Sequence, residues 1–203
     1  MYKDFVFLDE LIPGVRWDAK YATWDNFTGV PVSGYSVNRI VGTEKMAWAL
    51  RDIMNKAVPL GYGLLLWDGY RPQRAVDHFL RWIACTENGK TKSRYYPNID
   101  KKSMLSQGYI AAKSGHSRGS SIDLTLYDLK TYELLPMGGH FDLMDRISHH
   151  DAKEITTVEA ANRLILKSLM VEFGFMPYEC EWWHYTLIDE PFPDTYFDFA
   201  VGA

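Results

Sequence analysis

The chain has 203 residues, 47% of them hydrophobic and 15% aromatic, with a formal net charge of −4. That composition excludes a disordered chain, and at this length roughly 70% of the unfolded surface can be buried in one core. The acidic balance excludes an overall basic field that would recruit nucleic acid or anionic lipid. The longest aliphatic stretch, Leu64-Leu65-Leu66-Trp67, is too short to span a bilayer.

Neither nucleic acid nor a membrane is therefore expected as a partner, and a homodimer stays open. Two cysteines, Cys85 and Cys180, allow one disulfide but no disulfide framework. Two reduced thiols and a cytoplasmic setting are expected. Acidic residues at Asp4, Asp9 and Glu10 stand where a signal peptide needs an apolar run, so the mature chain is expected to start at Met1. There is no repeat and no shift in composition, and residues 1–203 read as a single domain.

In chain order, the first clear element is a helix capped by Thr43. Its apolar positions Met46, Ala47, Leu50, Ile53, Met54 and Ala57 recur at three-four spacing, and Pro59 and Gly61 end it. A strand is expected over 63–67. A second helix starts at Pro72 and runs through Ala75, Val76, Phe79, Leu80 and Ile83. Residues 87–103 read as an irregular excursion, and so do residues 128–157. Between them a strand is expected over 121–126. A third helix opens on the capping-box pattern Thr156-Thr157-Val158-Glu159. Its expected stripe is Ala161, Leu164, Ile165, Leu169 and Val171 or Phe173, closed by Gly174. A last strand is expected over 182–187. Short strands with separate helices give an α+β class, with a small, mainly antiparallel sheet flanked by helices.

Two segments carry chemistry: Ser114-Gly115-His116-Ser117-Arg118-Gly119-Ser120-Ser121-Ile122-Asp123 and Glu181-Trp182-Trp183-His184. Two imidazoles and one carboxylate can hold zinc with an open position, and a spare carboxylate can serve as a base. His116 and Asp123 are seven residues apart, so on an unbroken strand they face opposite ways. A turn at Gly119-Ser120 allows them to converge. From Ser121 the pattern alternates, with Ile122, Leu124 and Leu126 on one face and Asp123 and Thr125 on a polar face. The bland alternative is a turn-capping Asp123 and a solvated His116. Glu181 and His184 also face apart on a regular strand, so a bulge or a helical turn near Cys180 is needed.

Arg71 follows a buried-looking strand and opens a helix, where the dipole disfavours a cation. Its fitting task is to hold a developing oxyanion. The alternative is an Asp68–Arg71 ion pair that stiffens the turn. His78, His140 and the His149-His150 pair read as solvated, Cys180 as a small buried thiol, and Trp182 and Trp183 as core.

At these residues the chain resembles the VanX-type D-alanyl-D-alanine dipeptidases, zinc enzymes of the hedgehog-like DD-peptidase group. Ser-x-His-x-x-Gly-x-x-x-Asp is met at Ser114, His116, Gly119 and Asp123, and Glu-x-x-His at Glu181 and His184. The likeness extends over Gly14 to Tyr21, Trp67 to Pro72, Asp189-Glu190-Pro191 and Tyr196 to Phe199. Gly115 and Ser121 depart from the Ser and Ala frequent in relatives, which bears on pocket detail rather than chemistry.

The resemblance implies one Zn2+ per chain on His116, Asp123 and His184. It implies Glu181 as general base and acid, Arg71 as transition-state stabiliser, Asp142 for the substrate ammonium, and Ser114 and Tyr21 for substrate contacts. The implied reaction is hydrolysis of free D-Ala-D-Ala by zinc-bound water, lowering the dipeptide pool for cell-wall synthesis in glycopeptide resistance or recycling. Three alternatives stand beside it. One is a bifunctional enzyme that also trims longer peptides. Another is a zinc-holding binding module without activity. The third is a serine hydrolase using Ser117 in Gly115-x-Ser117-x-Gly119.

Overall fold

Leu64 and Leu66 stand opposite Leu126 and Leu124 on neighbouring antiparallel strands, and this fully buried aliphatic face seeds the core. The computed structural model describes residues 2–202. The expected start of the mature chain at Met1 lies outside the described residues.

The strands are β1 (Phe5–Phe7), β2 (Arg16–Trp17), β3 (Val41–Thr43), β4 (Tyr62–Asp68), β5 (Ser121–Asp128), β6 (Phe175–Tyr178) and β7 (Glu181–Leu187). The helices are α1 (Leu8–Leu11), α2 (Glu44–Ala57), α3 (Gln73–Ala84), α4 (Lys92–Tyr95) and α5 (Thr157–Glu172). β1 and β3 form an antiparallel pair. The main sheet runs β2-β4-β5-β7-β6, parallel only at β2–β4, and helices flank it, so the class is α+β. α2 packs on β4, and α5 packs on β6 and β7. Among the described residues no helix is long and apolar enough to cross a membrane.

The three expected helices and three expected strands are present. Thr43 caps α2 by accepting from the Met46 amide, and the six expected apolar positions are its buried residues. Thr156 and Glu159 form the reciprocal capping box of α5. Pro72 precedes α3 as its N-cap instead of occupying its first turn.

The α5 stripe is a correction. Ala161, Leu164 and Val171 are exposed, and the buried row is Arg163, Leu166, Leu169 and Met170. The helix carries two apolar rows, and the one that docks is the row that brings Arg163 to buried carbonyls. Three short strands, β1, β2 and β3, and the edge strand β6 were not expected from pattern. Runs of two to four residues hold too little periodicity to read. The excursion over 87–103 also contains the one-turn helix α4.

The other face of β5 is not solvated either. Asp123 and Thr125 are as buried as Ile122 and Leu124. That face is covered by the 128–157 excursion, whose Phe141 stacks on Trp67 at 4.9 Å and meets Trp183 edge-on at 5.7 Å.

Candidate active site

Three backbone irregularities bring the site together. First, Gly115–Arg118 form a 3-10 turn that Ser114 caps by accepting from the His116 amide at 3.2 Å. Gly119 closes it at φ 83°, and a Cβ there would lie 2.2 Å from the Phe5 ring, so only glycine fits. This turn re-aims His116 before β5 begins, as the Gly119-Ser120 reading requires. Second, β4 slips register between Leu66 and Asp68, which sets Asp68 opposite Asp123. Third, β6 pairs Pro177 with Tyr185 but Tyr178 with Glu181, leaving residues 182–184 of β7 bulged. That bulge brings Glu181 and His184 to one side, and it lies in β7 itself, just after Cys180.

His116 Nε2 lies 3.0 Å from His184 Nδ1 and 3.2 Å from Asp123 Oδ2, and His184 Nδ1 lies 2.9 Å from Asp123 Oδ1. One ligand atom from each residue falls within 4.8 Å of the others. His116 Nδ1 donates to the Gly69 carbonyl at 2.7 Å, so its Nε2 presents a lone pair to this point. Gly69 is required there, since a Cβ would lie 2.4 Å from the Val41 carbonyl oxygen. Burial alone would push the Asp123 carboxyl up, but His116 and His184 hold it well below the usual range. Two nitrogens and a carboxylate converging in a buried position fit a divalent ion that accepts N and O donors, zinc among them.

Around this cluster, Arg71 Nε donates to Asp68 Oδ2 at 2.9 Å and its Nη2 reaches Asp123 Oδ2 at 3.5 Å. Asp68 also accepts from the Tyr35 hydroxyl at 2.7 Å. The Asp68–Arg71 pair is therefore present and holds the guanidinium at the edge of the cavity. Glu181 Oε2 stands 3.9 Å from His184 Nδ1. Burial, then the charges of Asp123 and Asp142, push the Glu181 carboxyl well above its ordinary range.

Asp142 comes from the excursion, at φ 62° and buried. Tyr21 donates its hydroxyl to both carboxylate oxygens, at 3.1 and 2.9 Å. Burial, reinforced by Asp123, pushes Asp142 up to about 8. A strained, buried carboxylate with one donor is short of positive charge, and a ligand cation would supply it. Tyr21, Arg71, Ser114, Asp142, Glu181 and His184 all line one cavity of about 300 Å³ that also exposes His116 and Asp123.

Other expectations fare differently. Ser117 is fully buried, and its Oγ meets no partner among the described residues. Its turn leads into a strand rather than a helix, so the serine elbow is absent. Cys180 is partly exposed rather than buried, and both cysteines are free. Trp182 and Trp183 are core. Three of the histidines read as solvated make hydrogen bonds: His78 Nδ1 accepts from the Ser33 amide at 3.0 Å, His140 Nδ1 and Nε2 lie 2.8 Å from the Phe141 and Arg94 carbonyls, and His149 Nε2 lies 3.0 Å from the Tyr109 hydroxyl; the fourth, His150, is half-buried. Sequence reasoning missed Tyr109 and Tyr178 as cavity-lining residues. Nothing in their local pattern marks them.

Residues 1–202 match the model of a family described as D-ala-D-ala dipeptidase. The D-alanyl-D-alanine dipeptidase of Streptomyces coelicolor is 63% identical, covering all of both chains. That of Enterococcus faecalis is 62% identical over the same full lengths. That of Escherichia coli is 32% identical, over 91% of this chain and 84% of its own. The chain is a peptidase that belongs to the D-Ala-D-Ala dipeptidase family.

Proposed function

We propose that the chain hydrolyses the free dipeptide D-Ala-D-Ala to two D-alanines with one zinc ion per chain. The observation that carries this is the single cavity in which a His116–Asp123–His184 cluster faces two further buried carboxylates, Glu181 and Asp142. A zinc ion on the three ligands would supply Lewis acidity and make water a nucleophile near neutral pH.

The side chains do the rest. Asp142, steadied by Tyr21, takes the substrate ammonium. Ser114 contacts the peptide. Glu181, whose carboxyl is held well above its ordinary range by burial and by the charges of Asp123 and Asp142, takes the proton from the attacking water and hands it to the leaving amine. Arg71, fixed by Asp68, shares the developing oxyanion charge. Longer peptides carry an amide in place of the free amine at that position and leave Asp142 unpaired, which confines activity to dipeptides. We further propose that residues 1–203 act as one catalytic unit, and that the enzyme works in the cytoplasm to lower the dipeptide pool, a setting that its two free thiols favour.

The test is hydrolysis of D-Ala-D-Ala by purified protein before chelation, after it, and after zinc is restored. Activity is expected to vanish with chelator and return with zinc. N-acetyl-D-Ala-D-Ala should be cleaved at least about 100-fold less efficiently. Turnover indifferent to chelator would remove the metal from the reading. Metal-loaded protein inert on the dipeptide would remove the reading altogether.

A further inference from the structure

Arg163 is a buried cation on α5, 4% exposed, and no carboxylate lies within salt-bridge reach of it among the described residues. Burial of this kind is costly, and an apolar side chain of similar volume would serve the core as well or better. What the guanidinium does instead is donate to three carbonyls: Nε to Met137 at 2.6 Å, Nη1 to His149 at 2.8 Å and Nη2 to Ile147 at 2.8 Å. These acceptors stand at both ends of one stretch of the excursion, and Asp142 lies between them. Gly138, at φ 78°, lies against Ile155 and the guanidinium, since a Cβ there would come within 2.3 Å of Ile155 Cγ2 and 3.3 Å of Arg163 Nη2. The stretch itself contains no regular element beyond the 3-10 turn Arg146–Ser148.

We propose that Arg163 is a positioning residue that closes the 137–149 stretch and thereby holds the Asp142 carboxylate where it recognises a free ammonium. This rests on the dipeptidase reading above. The geometry makes the arrangement a staple: a rigid planar fork ties three carbonyls, of which only that of His149 accepts a further backbone hydrogen bond, from the Ala152 amide at 3.1 Å, among the described residues. Asp142 keeps its strained backbone because the ends of its loop cannot relax.

The test compares the parent protein with R163M, which keeps apolar volume and removes every donor, and with R163K, which keeps the charge but not the fork. Two substrates are used, D-Ala-D-Ala and D-lactoyl-D-Ala, which share the scissile amide and differ only in ammonium against hydroxyl. In R163M, KM for D-Ala-D-Ala should rise about tenfold with kcat within about threefold, while kcat/KM for D-lactoyl-D-Ala and the metal content stay unchanged. R163K should fall between. Adding R163M to D142N should cost nothing further on D-Ala-D-Ala. Equal losses on both substrates, or losses that simply add in the double variant, would overturn the proposal. Hydrogen exchange gives a readout independent of substrate: amides over 137–149 should exchange faster in R163M and R163K, with β5 unchanged. Unaltered exchange there would overturn it too. A parent protein inert on D-Ala-D-Ala would instead point to failure of the dipeptidase reading, and the exchange comparison would still decide the staple.

Discussion

The two halves of the site are built from different material. His116, Asp123, Glu181 and His184 sit in or beside adjacent strands, and Asp123 is directly paired with His184 across β5 and β7. Their positions follow from ladder hydrogen bonds, two register slips and a buried sheet. Asp142 sits in a long excursion, held by Phe141 packed on Trp67 and by the three carbonyls of Arg163. The lesson is that a cluster of ligands needs rigidity of the kind a sheet supplies, whereas a recognition group can be set by a loop if a buried side chain ties that loop down.

Substitutions separate these halves. His184→Ala should lose both bound metal and turnover, the largest effect, read by metal analysis and dipeptide hydrolysis. Glu181→Ala should keep the metal and lose about a thousandfold in kcat. Near-normal turnover in that variant would remove Glu181 from the role of base. On the loop side, Asp142→Asn should keep the metal and leave kcat within a few-fold, but raise KM for D-Ala-D-Ala about 50-fold. An Asp142→Asn protein that instead lost its metal would erase the distinction between the halves.

Stability against pH sharpens the same contrast in chelated protein. The Asp142 carboxyl is raised to about 8 in the fold from an ordinary value of 3.8. The folded state therefore binds its proton more tightly, and the stability tied to it is complete below about pH 4 and lost as pH rises through about 8. Asp142→Asn should thus be more stable than the parent at pH 9, by about 2 kcal/mol, with the gap closing toward pH 4 in urea melts. A constant gap would contradict this linkage. The smallest effect concerns the helix that carries Arg163. Thr156→Ala removes the capping box and should cost about 1 kcal/mol of unfolding free energy without changing metal content.

Much of the frame was legible in the chain because the signals are local. Thr43 with its six buried positions marks α2, and the capping box marks α5. The alternation after Ser121 marks β5, because a period of two or 3.6 is written into consecutive residues. The short strands were not legible, since pairing across the chain creates them. The phase of α5 was misread for the same reason: Leu164 and Leu166 are equally apolar, and only the packed neighbours choose between them.

By itself, the sequence determined which residues are proposed to carry the chemistry: a His, Asp, His and Glu set in two motifs, with an arginine ahead of a helix. Folding alone decided that they meet. Neither His116 with Asp123 nor Glu181 with His184 can share a side of a regular strand. The convergence comes from a glycine-closed turn, a slip beside Asp68 and a three-residue bulge in β7, each stable only against neighbours distant in the chain. The staple by Arg163 is the clearest case, because a buried arginine is a liability until three carbonyls from another segment arrive to receive it.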